Sequence, residues 1–135
     1  MIHPDLPLKA LSIMQPWPWL IAHGFKDIEN RSRRTHYRGP VALHAGKKAD
    51  QEAWDDFVAG IHPVTGEPAP HFDHDKTVDL RGGIVGVADI IDCVEQSASE
   101  WFVGRYGYVL ANARPVPFVP CRGELGFFDW RRNLS

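Results

Sequence analysis

Three charged residues stand close together in Gly24-Phe-Lys26-Asp-Ile-Glu29-Asn-Arg31. An ammonium, a carboxylate and a guanidinium offer a phosphate contact, a proton acceptor or donor, and a planar fork that orients either. On a regular strand Glu29 and Arg31 share one face, whereas Lys26 and Glu29 do not. Convergence of all three therefore requires Lys26 to sit in the turn before the strand. The same residues would also serve as a structural ion pair, Glu29 with Arg31 or Lys26, and both readings stay open. Lys26, Glu29 and Lys47 are the candidate catalytic groups. Lys47 and His44 end an apolar run, Val41–Ala45, where side chains emerge at a sheet rim. Arg34, and Arg122 in Pro120-Cys-Arg-Gly123, are further candidate phosphate contacts. Trp17 and Tyr37 offer faces on which an exposed base stacks, while Trp19 suits a core anchor.

Metal and cofactor chemistry find little support. Two cysteines, Cys93 and Cys121, do not make a zinc cluster by themselves. His62, His71 and His74 lie near Asp73 and Asp75, but in a Pro-rich stretch with no period to put them on one face. That stretch reads as a solvated acidic loop. There is no glycine-rich phosphate loop, so no cofactor and no metal are expected.

The chain has 135 residues, 44% hydrophobic and 24% charged, a composition that fits a single globular domain over 1–135 rather than a disordered chain. Its net charge of −2 excludes a uniformly basic nucleic-acid binder, but the charge is segregated. Residues 26–48 hold seven Lys/Arg against two Asp/Glu, a local +5; residues 49–79 hold eight Asp/Glu against one Lys, a local −7. The basic segment contains the Lys-Glu-Arg group and suits a phosphate backbone. No secretory leader is apparent at the N-terminus, and no apolar run approaches the roughly 18 residues of a membrane helix. A reducing, cytoplasmic location is expected.

The elements follow from period and punctuation. Leu8–Met14 reads as a strand; Gln15-Pro16 opens a short helix carrying Trp17, Trp19, Leu20 and Ile21, which Gly24 stops. Residues 26–33 alternate as a strand, Tyr37–Pro40 turns, and Val41–Ala45 is a buried strand. Ala49–Val58 is an amphipathic helix with Ala53, Trp54, Phe57 and Val58 on its stripe. Residues 60–82 read as one long surface loop. Gly83–Val94 is strongly β, and Ser97-Ala-Ser-Glu100 matches a capping box that would start a short helix. Tyr106–Ala111 is a strand, Asn112–Pro115 a turn, and Val116–Val119 a further strand; Leu125–Trp130 closes the set. Many short strands with two or three helices and no βαβ alternation predict an α+β fold, a small, partly open barrel with flanking helices.

Leu11-Ser-Ile-Met-Gln-Pro-Trp-Pro-Trp19, followed by Gly24-x-Lys26-x-x-Glu29-x-Arg31, resembles the ASCH (activating signal cointegrator homology) family of the PUA-like superfamily. Every fixed position of that family's Gly-x-Lys-x-x-Glu-x-Arg hallmark is present. The resemblance continues through His44-Ala-Gly-Lys47, Gly82-Gly-Ile-Val-Gly-Val-Ala88, Trp101, Gly107-Tyr-Val-Leu110 and Arg122-Gly123. It implies a PUA-like barrel with a cleft between the first helix and the barrel. It also implies a partner among RNA, other single-stranded nucleic acid and modified nucleosides. Some relatives resemble hydrolases, deacetylating N4-acetylcytidine or cleaving RNA. The deacetylating branch uses a lysine and a threonine three residues apart plus a glutamate; Lys26 matches the lysine, but Glu29 stands in the threonine's slot. A binding module and a hydrolase both remain open.

Overall fold

The computed structural model describes residues 6–69 and 76–135. Strands β1 (Lys9–Gln15), β2 (Ile28–Arg31), β3 (Gly39–Ala49), β4 (Gly83–Val94), β5 (Tyr106–Pro120) and β6 (Phe127–Asp129) form one mixed sheet in the order β2-β5-β4-β3-β1-β6. Helices α1 (Trp17–Ala22) and α2 (Gln51–Val58) complete an α+β fold, with 3₁₀ turns at Lys76–Asp79 and Trp130–Asn133. The sheet is curved but not closed, with β2 and β6 as its edges.

β1 and β3 run parallel, with Leu11 opposite Leu43 and Ser12 opposite His44. The chain between them carries α1 and β2, so β2 pairs instead with the far strand β5, Glu29 opposite Tyr108. β4 and β5 are the longest pair, and their register shifts three times. Each bulge adds local twist and bends the sheet around its contents. One cluster, Leu11, Ile13, Ile21, Leu43, Ile90 and Tyr108, packs under α1. A second, built on Trp130, Phe128, Ile84 and Val119, fills the other end. A third, Trp19, Leu20, Ile28, Phe57 and Trp101, joins both helices to β2.

The short helix α1 buries five of its six residues, which is its main stabilisation at so little length. Gln15, fully buried, accepts the Trp19 N–H on Oε1 at 3.2 Å and donates from Nε2 to the Leu80 carbonyl at 2.8 Å. Asp50 caps α2, accepting the Ala53 N–H, and also takes the Trp17 indole N–H at 3.0 Å.

Several sequence expectations are corrected. No helix forms over 97–102. Ser97 Oγ accepts the Ser99 N–H at 3.0 Å, a local turn, instead of capping a helix. Asn30 on β2 donates from Nδ2 to the Trp101 carbonyl and accepts the Val103 N–H on Oδ1, so these backbone groups are satisfied across the fold. Asn112–Pro115 is not a turn between strands but part of β5, which runs through it on a bulge. Asn112 adopts φ 55° there and donates from Nδ2 to Asp89 at 2.9 Å. The strand read over 26–33 is shorter, Ile28–Arg31, because Lys26 still belongs to the turn. Within 60–82, Ile61 bridges Pro68 and residues 76–79 form a 3₁₀ turn. His71, Asp73, His74 and Asp75 lie outside the described residues.

Candidate nucleic-acid interface

Gly24, at φ +82°, stops α1 in the left-handed region that a Cβ disfavours. The N–H groups of Phe25 and Lys26 both donate to the Leu20 carbonyl, which turns Lys26 inward just before β2. Lys26 is only 3% exposed. Its ammonium donates to the Ile28 carbonyl and to Glu29 Oε1, the latter at 3.1 Å, and lies 5.2 Å from the Trp17 ring centroid. Glu29 and Arg31 share one face of β2, and Arg31 Nε donates to Glu29 Oε2 at 3.1 Å. Arg31 Nη2 continues to the Ser12 carbonyl on β1 at 2.9 Å, tying the free edge of β2 across the sheet opening. The three residues thus form one chain of contacts that grades from core to surface, with Arg31 the most exposed, its side chain at 26%.

A cavity of about 580 Å³ opens beside Arg31. Leu11, Tyr108 and Phe127 give it apolar and aromatic surface; Arg31, Arg33 and Arg34 give it charge. The Tyr108 and Phe127 rings stack with centroids 6.2 Å apart. Tyr108 donates its hydroxyl to the Arg33 carbonyl at 2.9 Å. Burial pushes this phenol's pKa up, partly opposed by the Arg31 guanidinium, so it stays a neutral donor. Arg34 is exposed, with its guanidinium 5.3 Å from the Tyr106 ring and 3.4 Å from Glu95.

A second cavity, of about 390 Å³, lies across the 122–125 segment. Ser12 and His44 form its floor, and Lys47 and Arg122 line it. His44 is 1% exposed. Nε2 faces the Cys121 carbonyl at 2.8 Å, an acceptor only, so Nε2 carries the proton. Nδ1 therefore accepts the Ser12 hydroxyl at 2.9 Å. Burial depresses the His44 pKa against the opposing pull of that carbonyl, which keeps the ring neutral. Leu125 lines both cavities and is 100% exposed.

Among known proteins, a model of the ASCH domain matches residues 11–116. The chain belongs to the ASCH domain family. It is 32% identical over 88 residues to activating signal cointegrator 1 of mouse, and equally to that of human. Each match covers 64% of this chain but only 14% of the relative, so the chain corresponds to a small part of those proteins. The ASCH family is generally linked to RNA binding.

The ASCH signature is brought together as one chain of contacts, of which Arg31 lines a cavity. Five of the six α1 residues are buried, and none of them lines the cavity at Arg31. Of the residues singled out in the sequence, Arg31 and Arg34 share the larger cavity, and Lys47 and Arg122 share the smaller. Lys26 and Glu29 line neither of these two cavities and join Arg31 through the Glu29 carboxylate. Trp17 is half-buried and does not line the cavity at Arg31; its ring meets Lys26 and, edge-on, Trp101 at 6.3 Å. Tyr37 lines a third cavity with Leu8, Lys9 and Phe127, its hydroxyl donating to the Pro40 carbonyl at 2.7 Å. Among the described residues no group of three or more His, Cys, Asp or Glu could hold a metal ion, and no helix is long and apolar enough to cross a membrane. Ser12, Tyr108, Leu125 and Phe127 also line these cavities and are not evident from the sequence. Only Leu125, an apolar residue in Gly123-Glu-Leu-Gly126, carries a local signal.

Proposed function

We propose that this ASCH domain binds single-stranded RNA, or a modified nucleoside within it, in the cavity beside Arg31. The observation that carries this reading is the pairing of an aromatic and apolar floor with three arginines at one opening. A base stacks on or wedges against apolar surface, and guanidinium groups take phosphate or the polar edges of a base. The cavity's 580 Å³ is within the range of sites that enclose a small ligand. The signature's part is preorganisation: Lys26 and Glu29 fix Arg31, which in turn fixes one wall. Chain 1–135 acts on this reading as one binding unit.

The hydrolase alternative draws less support from the geometry. Lys26 is already engaged by Glu29 and the Ile28 carbonyl, and Lys47 lines the other cavity. Fluorescence anisotropy with short single-stranded RNA tests the binding reading. Affinity is expected to fall as salt rises, and Arg34→Glu to weaken binding with an unchanged melting temperature. Absence of binding, or binding indifferent to salt, would refute it. Incubation with N4-acetylcytidine and with labelled RNA, read by mass and gel, is expected to return both unchanged. Product formation that disappears in Lys26→Met would instead establish the hydrolase.

A further inference from the structure

We infer that the smaller cavity, between Lys47 and Arg122, is a phosphate subsite that holds the backbone of the same strand whose base occupies the cavity beside Arg31. The inference rests on the nucleic-acid reading of that neighbouring cavity. The first support is charge. His44 is neutral, and the one carboxylate in the lining, Glu124, accepts a 2.7 Å hydrogen bond from Asn133 Nδ2. Among the described residues Lys47 has no ion-pair partner, and its stem lies along Gly82, with Cε 3.9 Å from where a Cβ there would stand. The Arg122 fork has one contact among the described residues, to Asn133 Oδ1 at 3.3 Å. Two exposed cations therefore line one small opening against a single carboxylate, Glu124, which leaves the lining net positive by one charge.

The second support is the wall. A Cβ on Gly123 would stand 2.6 Å from His44 Cε1 and 3.0 Å from Ser12 Oγ, so only glycine brings the backbone this close. The Ser12–His44–Cys121 chain of hydrogen bonds holds the floor beneath it. The close backbone approach at Gly123 and the hydrogen-bonded floor keep this recess fixed, and its two cations suit an anion such as a phosphate. The third support is adjacency. Leu125, fully exposed, is shared by both cavities, and an apolar side chain there separates a base on one side from a phosphate on the other.

Backbone amide NMR titrations of the whole chain, with inorganic phosphate and separately with oligouridylate RNA, test the inference. Phosphate is expected to shift the amides of Lys47, Gly82 and Gly123. RNA should shift these together with Arg34, Leu125 and Gly126. In Lys47→Gln/Arg122→Gln the phosphate shifts should vanish. RNA affinity should drop roughly tenfold, the equivalent of one lost charge-assisted hydrogen bond. The slope of binding against salt should also become shallower. Lys47→Gln alone, a change at an exposed side chain, gives the same direction should the double variant misfold. RNA shifts confined to the Arg31 cavity would overturn the subsite and leave the nucleic-acid reading standing. Phosphate shifts without any RNA response would keep a free-phosphate site, overturn the strand-backbone assignment, and refute the nucleic-acid reading. No response to either probe would overturn the inference outright.

Discussion

Replacing Glu29 by Gln removes the one charge that both Lys26 and Arg31 face. The ammonium left behind is 3% exposed, so water does not reach it freely. Breaking a buried pair at one partner costs about 3–5 kcal/mol. Two features pull the value to the lower end. Lys26 keeps the Ile28 carbonyl and the Trp17 face, the latter contributing about 0.5–2 kcal/mol. Arg31 regains water, since a quarter of its side chain is already open. The expected loss is therefore about 3 kcal/mol. Unfolding entropy near the midpoint is ~2.1 cal/mol/K per residue, or about 0.28 kcal/mol/K for 135 residues, so the melting temperature should fall by about 10 °C. Calorimetry gives that shift, and urea unfolding gives the free energy. Lys26→Met/Glu29→Leu, which buries no charge, should be more stable than Glu29→Gln alone. A loss for Glu29→Gln below about 1 kcal/mol, the scale of exposed pairs, would refute the view that this signature is a buried structural chain.

Further outcomes follow from other contacts. His44 has a depressed pKa in the folded state, so its contribution to stability is present above its unfolded value of about 6.5 and is lost as the pH falls toward the folded one. The wild type should therefore show an acid-side stability slope below that pH which is reduced in His44→Gln, measured by urea unfolding across pH. Asp50→Ala removes a helix cap worth ~1 kcal/mol and an acceptor for the Trp17 indole worth about 0.5–1.5 kcal/mol, a sum that circular dichroism melts should resolve. Gly86→Ala places a Cβ 2.7 Å from that of Ala22 and 2.9 Å from the Arg114 carbonyl. Neither neighbour yields easily, so chemical unfolding should register a loss of about 1–3 kcal/mol.

Much of this protein is legible in local sequence. Short apolar runs mark β1 and β3, a β-branched run after Gly83 marks β4, and the apolar stripe Ala53, Trp54, Phe57 and Val58 marks α2. The two-residue spacing of Glu29 and Arg31 is enough to put them on one face of β2. These are properties of a few adjacent residues, set by backbone period and by the φ that each residue permits. What tertiary structure decided is non-local. The capping box at Ser97 yields no helix because Asp27 takes the Ser99 hydroxyl from 72 residues away and Asn30 takes the backbone of Trp101 and Val103. Lys26 is buried because its ammonium is held by Glu29 and the Ile28 carbonyl against the Trp17 ring, a burial that no reading of adjacent residues supplies. The parallel register that sets Ser12 opposite His44 pairs strands separated by a helix and a strand. Both cavities join segments far apart in sequence, residues 31–35 with 125–127 and residues 44–47 with 121–123. Strand pairing and burial depend on contacts that only the assembled sheet supplies, so the chemistry of the residues can be read in order along the chain, while their accessibility and their neighbours are set by the fold.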